Sequence, residues 1–195
     1  CPKSDESVTP CLVRDGMWEA WISLWFMNNI DKDTTFIDVG ANCGYYSVLA
    51  LRECFNVYAF EPNPIYIELL QETAQLNNSD CMYTLPYAVS DREETVTLYV
   101  PGADLASASV IGEVNTTGQE NYEIKVQSVS LDSLNLSTAD KVLIKVDAEG
   151  AEEKVWSGSS EFRDRHSPTF VLEYTPGAYS DDFLNKLESY GDINY

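Results

Sequence analysis

Four apolar runs along this chain each end on a carboxylate. Phe36-Ile37 leads to Asp38, Val57-Tyr58-Ala59-Phe60 to Glu61, Val142-Leu143-Ile144 through Lys145-Val146 to Asp147, and Phe170-Val171-Leu172 to Glu173. Short runs rich in β-branched and aromatic residues predict strands buried on both faces, here over residues 34–38, 56–61, 142–147 and 169–173. The stretches after them carry helix signals. One continues from the first strand to about residue 53. Pro62 and Pro64 open another over 65–76, as proline does at a first helical turn. Helices are also predicted over about 151–156 and 181–190, and a further strand over about 82–89.

Residues 94–100 and 122–129 alternate β-forming side chains and predict an antiparallel pair. A Gly/Ser/Ala/Asn-rich stretch, about 102–120, separates them and is long enough to act as a lid over an acceptor. At the front, residues 17–29 predict a helix. Its Trp18, Trp21, Ile22 and Trp25 fall near helical spacing and are expected to pack in the core. Alternating strands and helices give an α/β fold, a mainly parallel sheet with helices on both faces and an inserted antiparallel β-hairpin. No repeat or linker divides the sequence. Residues 1–195 therefore read as one domain, with a helical segment over 1–33 and the sheet core over 34–195.

The chemistry concentrates after the first strand. Asp38-Val39-Gly40-Ala41-Asn42-Cys43-Gly44 joins a strand end, a glycine turn and a helix start, which is where open α/β sheets bind ligands. Glu61 ends the next strand roughly 20 positions on, where an acid hydrogen-bonds ribose hydroxyls. Together they predict a nucleoside cofactor. A dinucleotide loop reads G-x-G-x-x-G and lays a pyrophosphate on a helix N-terminus. Here Asp38 takes the first glycine's place and repels a diphosphate. The same carboxylate favours an ammonium or a sulfonium, and S-adenosylmethionine carries both without a phosphate. A nicotinamide oxidoreductase is the alternative on a similar sheet.

Composition narrows the partners. The formal net charge is −20 over 195 residues. DNA and RNA require cationic partners, so no nucleic acid is expected, and anionic membranes are disfavoured. No apolar run approaches the ~20 residues of a membrane span. The sequence begins at Cys1 rather than Met, so an N-terminal segment with any targeting signal is expected upstream. Five cysteines, at 1, 11, 43, 54 and 81, lack metal-type spacing. Cys54 and Cys81 precede the second and third strands and come within disulfide reach if those strands are neighbours. Cys1 and Cys11 could close a small loop. With sequons at Asn77, Asn115 and Asn135, these make a lumenal or secreted location the alternative to a cytoplasmic one, where free buried thiols are the rule.

Five segments in order, Asp38-Val-Gly-Ala-Asn-Cys-Gly44, Phe60-Glu-Pro-Asn63, Ala88-Val-Ser-Asp91, Val129-Ser-Leu-Asp132 and Ile144-Lys-Val-Asp-Ala-Glu-Gly-Ala-Glu152, resemble the FkbM family of S-adenosylmethionine-dependent methyltransferases. The resemblance covers about residues 15–173. It implies the Rossmann-like class I methyltransferase fold, seven strands in the order 3-2-1-4-5-7-6, with strands two and three side by side. A closing hairpin is not visible in the sequence, so a C-terminal truncation is expected. It also implies that Asp38, Gly40, Asn42 and Gly44 surround the methionine part of the cofactor. Glu61 would take the ribose hydroxyls, with Pro62 and Asn63 shaping that pocket. Ser90 and Asp91 would lie near adenine, and Glu19, in Asp15-Gly-Met-Trp-Glu19, over the cofactor. Cys43 reads as packing. The implied acceptor is a small molecule or glycan with a free hydroxyl, on a sugar or a natural product.

An alcohol acceptor needs its proton removed. Asp147, Glu149 and Glu173 stand at carboxyl ends of strands, and Lys145, two residues before Asp147, shares its face. These four are the catalytic candidates. Glu149 has a competing role as a cap for the helix that follows. The three acids are also oxygen donors suited to Mg²⁺ or Ca²⁺, but nothing in the sequence fixes a metal and none is assigned. His166 precedes the fifth strand, at the amino end of the sheet, and is not a candidate base. A non-catalytic methyltransferase-like binding module is the other alternative, disfavoured because Asp38, Asn42 and Glu61 stand together.

Overall fold

The structure, a computed structural model, describes residues 8–77, 79–101, 108–111, 121–175, 177 and 179–191. Two helices, α1 (Val8–Asp15) and α2 (Ala20–Asn29), precede β1 (Thr34–Val39), α3 (Tyr45–Leu51), β2 (Asn56–Phe60), α4 (Pro64–Leu76) and β3 (Met82–Leu85). Then come β4 (Tyr87–Val89), β5 (Glu94–Pro101), β6 (Asn121–Val129), a 3-10 turn (Leu131–Ser133) and β7 (Lys141–Val146). The chain finishes with α5 (Glu152–Ser157), α6 (Ser160–His166), β8 (Thr169–Leu172) and α7 (Asp181–Tyr190).

The main sheet is parallel throughout and ordered β3-β2-β1-β7-β8. Strand side chains alternate between faces, and each face has its own core. Phe36 joins Phe26, Tyr46, Ala50, Val57, Leu70 and Leu143 on one side. Its neighbour Ile37 joins Val39, Phe60, Ile144, Val146, Val155 and Phe162 on the other. Chain direction across the sheet reverses between β1 and β7, and the crevice at that switch point is the expected ligand site.

The strand expected over 82–89 breaks at Pro86. Proline has no N–H for the ladder, so β3 ends at Leu85 and β4 leaves for a second sheet, β4-β6-β5, where it runs parallel to β6. The predicted hairpin is present as β5 and β6, antiparallel from Glu94↔Ser128 to Pro101↔Asn121. The second sheet docks against the first beside α5. A Cβ on Gly158 would lie 2.1 Å from the Ser90 carbonyl oxygen and 2.8 Å from Asp91 Cα. Gly158→Ala is therefore expected to lower stability by roughly 2 kcal/mol, the cost of overpacking a fixed backbone contact. A urea midpoint equal to that of the parent would contradict this docking.

The aromatic stripe of the front helix is a correction. Trp21 is 79% exposed and Trp25 42%, whereas Ser23 and Phe26 are buried. Ser23 faces inward because its hydroxyl donates to the Trp18 carbonyl (2.6 Å) and meets the Tyr45 hydroxyl (2.9 Å). That small residue lets α3 approach and rotates the indoles at 21 and 25 outward. Trp18 and Ile22 do pack on the core. Cys54 and Cys81 are both free, although β2 and β3 are neighbours. Burial, with nearby Asp31, Cys81 and Glu53, pushes the Cys54 thiol up to about 12. Cys1 lies outside the described residues. No described helix is long and apolar enough to cross a membrane.

Candidate active site

A cleft of ≈ 280 Å³ opens at the carboxyl ends of β1, β2 and β7. Its floor is the turn after β1. Gly40 (φ 76°) and Asn42 (φ 51°) are left-handed. At Gly40 the requirement is absolute, since a Cβ would lie 1.8 Å from the Asp147 carbonyl oxygen. The Gly40 and Ala41 amides both donate to the Phe60 carbonyl at 3.0 Å, which locks this turn to the end of β2.

Glu61, 6% exposed, is the hinge of that lock. Its Oε2 accepts from the Asn42 amide and its Oε1 from the Asn63 amide, each at 2.8 Å. Burial pushes its carboxyl up to about 7, against the pull of those two amides and with help from Asp38 and Asp147. Asn63 caps α4 by accepting from the Ile65 amide at 3.1 Å.

The opposite wall comes from β7 and β8. Lys145 is buried, with Nζ 3.0 Å from Asp147 Oδ2, 3.9 Å from Asp38 Oδ1 and 5.2 Å from the centre of the Tyr46 ring. Burial works against its charge, but Asp147 and Asp38 outweigh it and hold the ammonium above the ordinary lysine range. Glu173 follows β8 and lines the same cleft as Asp147. Burial first, then Asp147, Glu149 and Glu152, push its carboxyl up to about 7. Glu19, left-handed at φ 40°, caps the front of the cleft and accepts from the Tyr46 hydroxyl at 2.6 Å.

The cleft therefore gathers Glu19, Gly40, Asn42, Glu61, Pro62, Lys145, Asp147, Glu149 and Glu173 from the predicted residues. It does not gather Asp38, Gly44, Asn63, Ser90 or Asp91. Asp38 is buried beneath the turn, where Oδ2 accepts from the Ser47 hydroxyl at 2.7 Å. Gly44 serves packing, because a Cβ there would lie 2.5 Å from Leu70 Cδ2. After β4 the chain turns away, so Ser90 faces Asp91, and Asp91 pairs with Arg92 at 2.7 Å. Sequence reasoning missed the aromatic walls, Trp18, Tyr45, Tyr46, Tyr66 and Tyr87. It also missed Glu152, whose Oε1 accepts from the Ala148 amide at 2.9 Å and the Gly150 amide at 3.4 Å. Glu152 ties down the turn before α5. The repeated acids in Glu149-Gly-Ala-Glu152 were its signal.

The expected lid falls mostly outside the described residues. Its 108–111 stretch packs on β5 through the Tyr99–Ser109 bridge, and the Ser109 hydroxyl donates to the Glu149 carbonyl at 2.8 Å. Among the described residues no cluster of three or more His, Cys, Asp or Glu is arranged to hold a metal. His166 sits away from the cleft, stacked on Phe162 at 4.5 Å.

A family profile described as the methyltransferase FkbM domain matches residues 38–193. The chain belongs to the FkbM methyltransferase family. The crystal structure of the methyltransferase FkbM from Methylobacillus flagellatus KT matches the FkbM domain with a TM-score of 0.55 at 15% identity, over 81% of this chain and 36% of that one. This chain thus spans about a third of that protein. The precorrin-6y C5,15-methyltransferase from Geobacter metallireducens GS-15 matches with a TM-score of 0.47 at 15% identity, over 91% of this chain and 72% of that one. No curated protein sequence matches. The likeness to the Methylobacillus protein carries the fold, a Rossmann-like α/β sheet of class I methyltransferase type.

Proposed function

We propose that this FkbM domain is an S-adenosylmethionine-dependent O-methyltransferase acting on a hydroxyl of a sugar, glycan or natural product. The observation that carries the reading is the charge of the switch-point cleft. Among the described residues five acids line it, Glu19, Glu61, Asp147, Glu149 and Glu173, and the one lysine is already paired with Asp147. Among the described residues a diphosphate finds no unpaired cationic partner there, whereas a zwitterionic adenosyl ligand with a positive sulfur meets favourable charge. The floor fits that ligand too. Gly40 lets the floor turn pack directly on the Asp147 backbone, and each Glu61 oxygen, holding one amide, keeps acceptor capacity for a ribose hydroxyl.

S-adenosylmethionine, when bound, supplies a methyl group on a cationic sulfur. The chain's own residues do the rest. Gly40 and Asn42 hold the methionine side, Glu61 takes the ribose hydroxyls, and Glu19 closes the front. The acceptor oxygen must give up its proton, and the Asp147–Glu173 pair at the facing wall is placed to receive it. Lys145 fixes Asp147 from below and keeps its charge turned toward the cleft.

Binding should depend on pH. In the free protein Glu61 holds a proton below about 7, and a protonated carboxyl accepts ribose hydroxyls poorly. Affinity for S-adenosylhomocysteine is thus expected to fall about tenfold per unit as pH drops below 7, because binding must release that proton. Calorimetry at pH 6 and pH 8 reads the difference. Equal affinities would contradict the role of Glu61. The function itself is tested by a methyl-transfer assay over neutral sugars, glycans and polyhydroxylated natural products. Ether products support it, and methylation confined to amines would overturn it.

A further inference from the structure

The turn that carries the proton-accepting acid is an awkward one. From Asp147 to Ala151 it leaves β7, and it places Glu149 at φ 48°, a left-handed conformation that a non-glycine residue avoids, followed by Gly150 at φ 97°. Something must hold it. The turn's two inner amides, Ala148 N and Gly150 N, point at one side chain, Glu152, which is 1% exposed. Both bonds go to the same oxygen. The other, Oε2, has no hydrogen-bond partner among the described residues. A fully buried carboxyl on a helix's first residue, spent on two amides, is costly unless those amides need an anionic acceptor. Holding the left-handed turn is that need.

We infer that Glu152 is a positioning residue for the methyl-transfer site: its buried carboxylate clamps the Asp147–Gly150 turn and so sets the height of Asp147 against Glu173 and the cleft. The inference rests on the O-methyltransferase reading for its kinetic consequence, but the clamp itself stands on geometry. Glu152 is also an electrostatic neighbour of the pair. The groups that face Glu173 are Asp147 and Glu149 from the turn, Glu152 from α5 and Tyr179 from the segment before α7, whose hydroxyl donates to the Glu173 carbonyl at 2.6 Å. Asp147, Glu149 and Glu152 all push the Glu173 carboxyl up.

Two variants separate the roles. Glu152→Ala removes the acceptor, and Glu152→Gln keeps an oxygen for the Ala148 amide and removes the charge. With no substrate present, amide exchange at Ala148 and Gly150 is expected to accelerate tenfold or more in Glu152→Ala and to remain slow at Ala148 in Glu152→Gln. The Glu173 carboxyl, followed by carbon NMR, should titrate at lower pH in Glu152→Gln. In the methyl-transfer assay, kcat is expected to fall about 10–100-fold in Glu152→Ala with S-adenosylhomocysteine affinity unchanged within threefold, and Glu152→Gln to recover most of kcat. Unchanged amide exchange in folded Glu152→Ala would overturn the clamp. Equal kcat losses in both variants, or a Glu173 titration that does not move, would overturn the positioning role. The exchange and titration readings need no acceptor, so their failure is distinct from a failure of the O-methyltransferase reading, which shows as no transfer by the parent protein.

Discussion

Asp147→Asn is expected to lower turnover by roughly 10²–10⁴-fold while S-adenosylhomocysteine affinity stays within about threefold. The substitution is isosteric, and asparagine still offers an oxygen to Lys145 Nζ, now 3.0 Å from Asp147 Oδ2. Lys145 also keeps Asp38 at 3.9 Å, so its buried charge is not abandoned. What disappears is the capacity to take a proton. Glu173 does not replace it. Without the Asp147 charge, a cause of its raised pKa is gone, so Glu173 becomes the weaker base. The parent protein's rate should rise with pH through about 7, as Glu173 loses its proton, and Asp147→Asn should move that limb to lower pH. Single-turnover transfer of a labelled methyl group across pH 5.5–8.5 reads both effects. A parent-like rate in the variant would remove Asp147 from the mechanism.

Glu61→Ala carries the second large effect, a loss of about 100-fold in S-adenosylhomocysteine affinity. Two hydroxyl bonds to a carboxylate contribute roughly 1.5–3 kcal/mol each when the acceptor is charged, and one such loss is already tenfold or more. The local backbone adds to it. Glu61 is the common acceptor for the Asn42 and Asn63 amides, so its removal frees the turn after β1 as well as the ribose site. Glu61→Asp, which keeps the charge but withdraws it, should retain part of the affinity. Calorimetry on the three proteins checks the order parent, Asp, Ala. An alanine variant that binds like the parent would show that the carboxylate serves the turn alone.

The parallel sheet was legible because its strands are continuous apolar runs. β1, β2 and β7 are buried along nearly their whole length, and a buried strand tolerates few other residue types. Helix α7 was read at its actual bounds, Asp181–Tyr190, because Ser180 caps it and accepts from the Phe183 amide. Where local signals competed with tertiary contacts, the sequence misled. In α2 apolar residues occur all round, so periodicity could not show that Ser23 faces inward. Short polar α6, Ser-Glu-Phe-Arg-Asp-Arg-His, buries only Phe162 and left no stripe to read. Pro86 was a visible break that the expected strand over 82–89 passed across.

The site divides in the same way. Glu61, Gly40 and Asp147 were legible as cleft-lining positions because strand ends at a switch point border the crevice. Ser90 and Asp91 rested on resemblance alone; Tyr87, Ala88 and Val89 just before them line the cleft, and Asp91 pairs with Arg92. Asp38, expected around the methionine part of the cofactor, is buried below the cleft floor beside Ser47 and Lys145.

Calorimetric titration of the folded chain with S-adenosylhomocysteine at pH 8, beside a matched titration with NADH, tests the central claim most directly. Saturable one-to-one binding of the adenosyl thioether, with no heat from the dinucleotide, is the predicted result. Binding of NADH alone, or of neither ligand, would contradict the assignment of this acidic cleft.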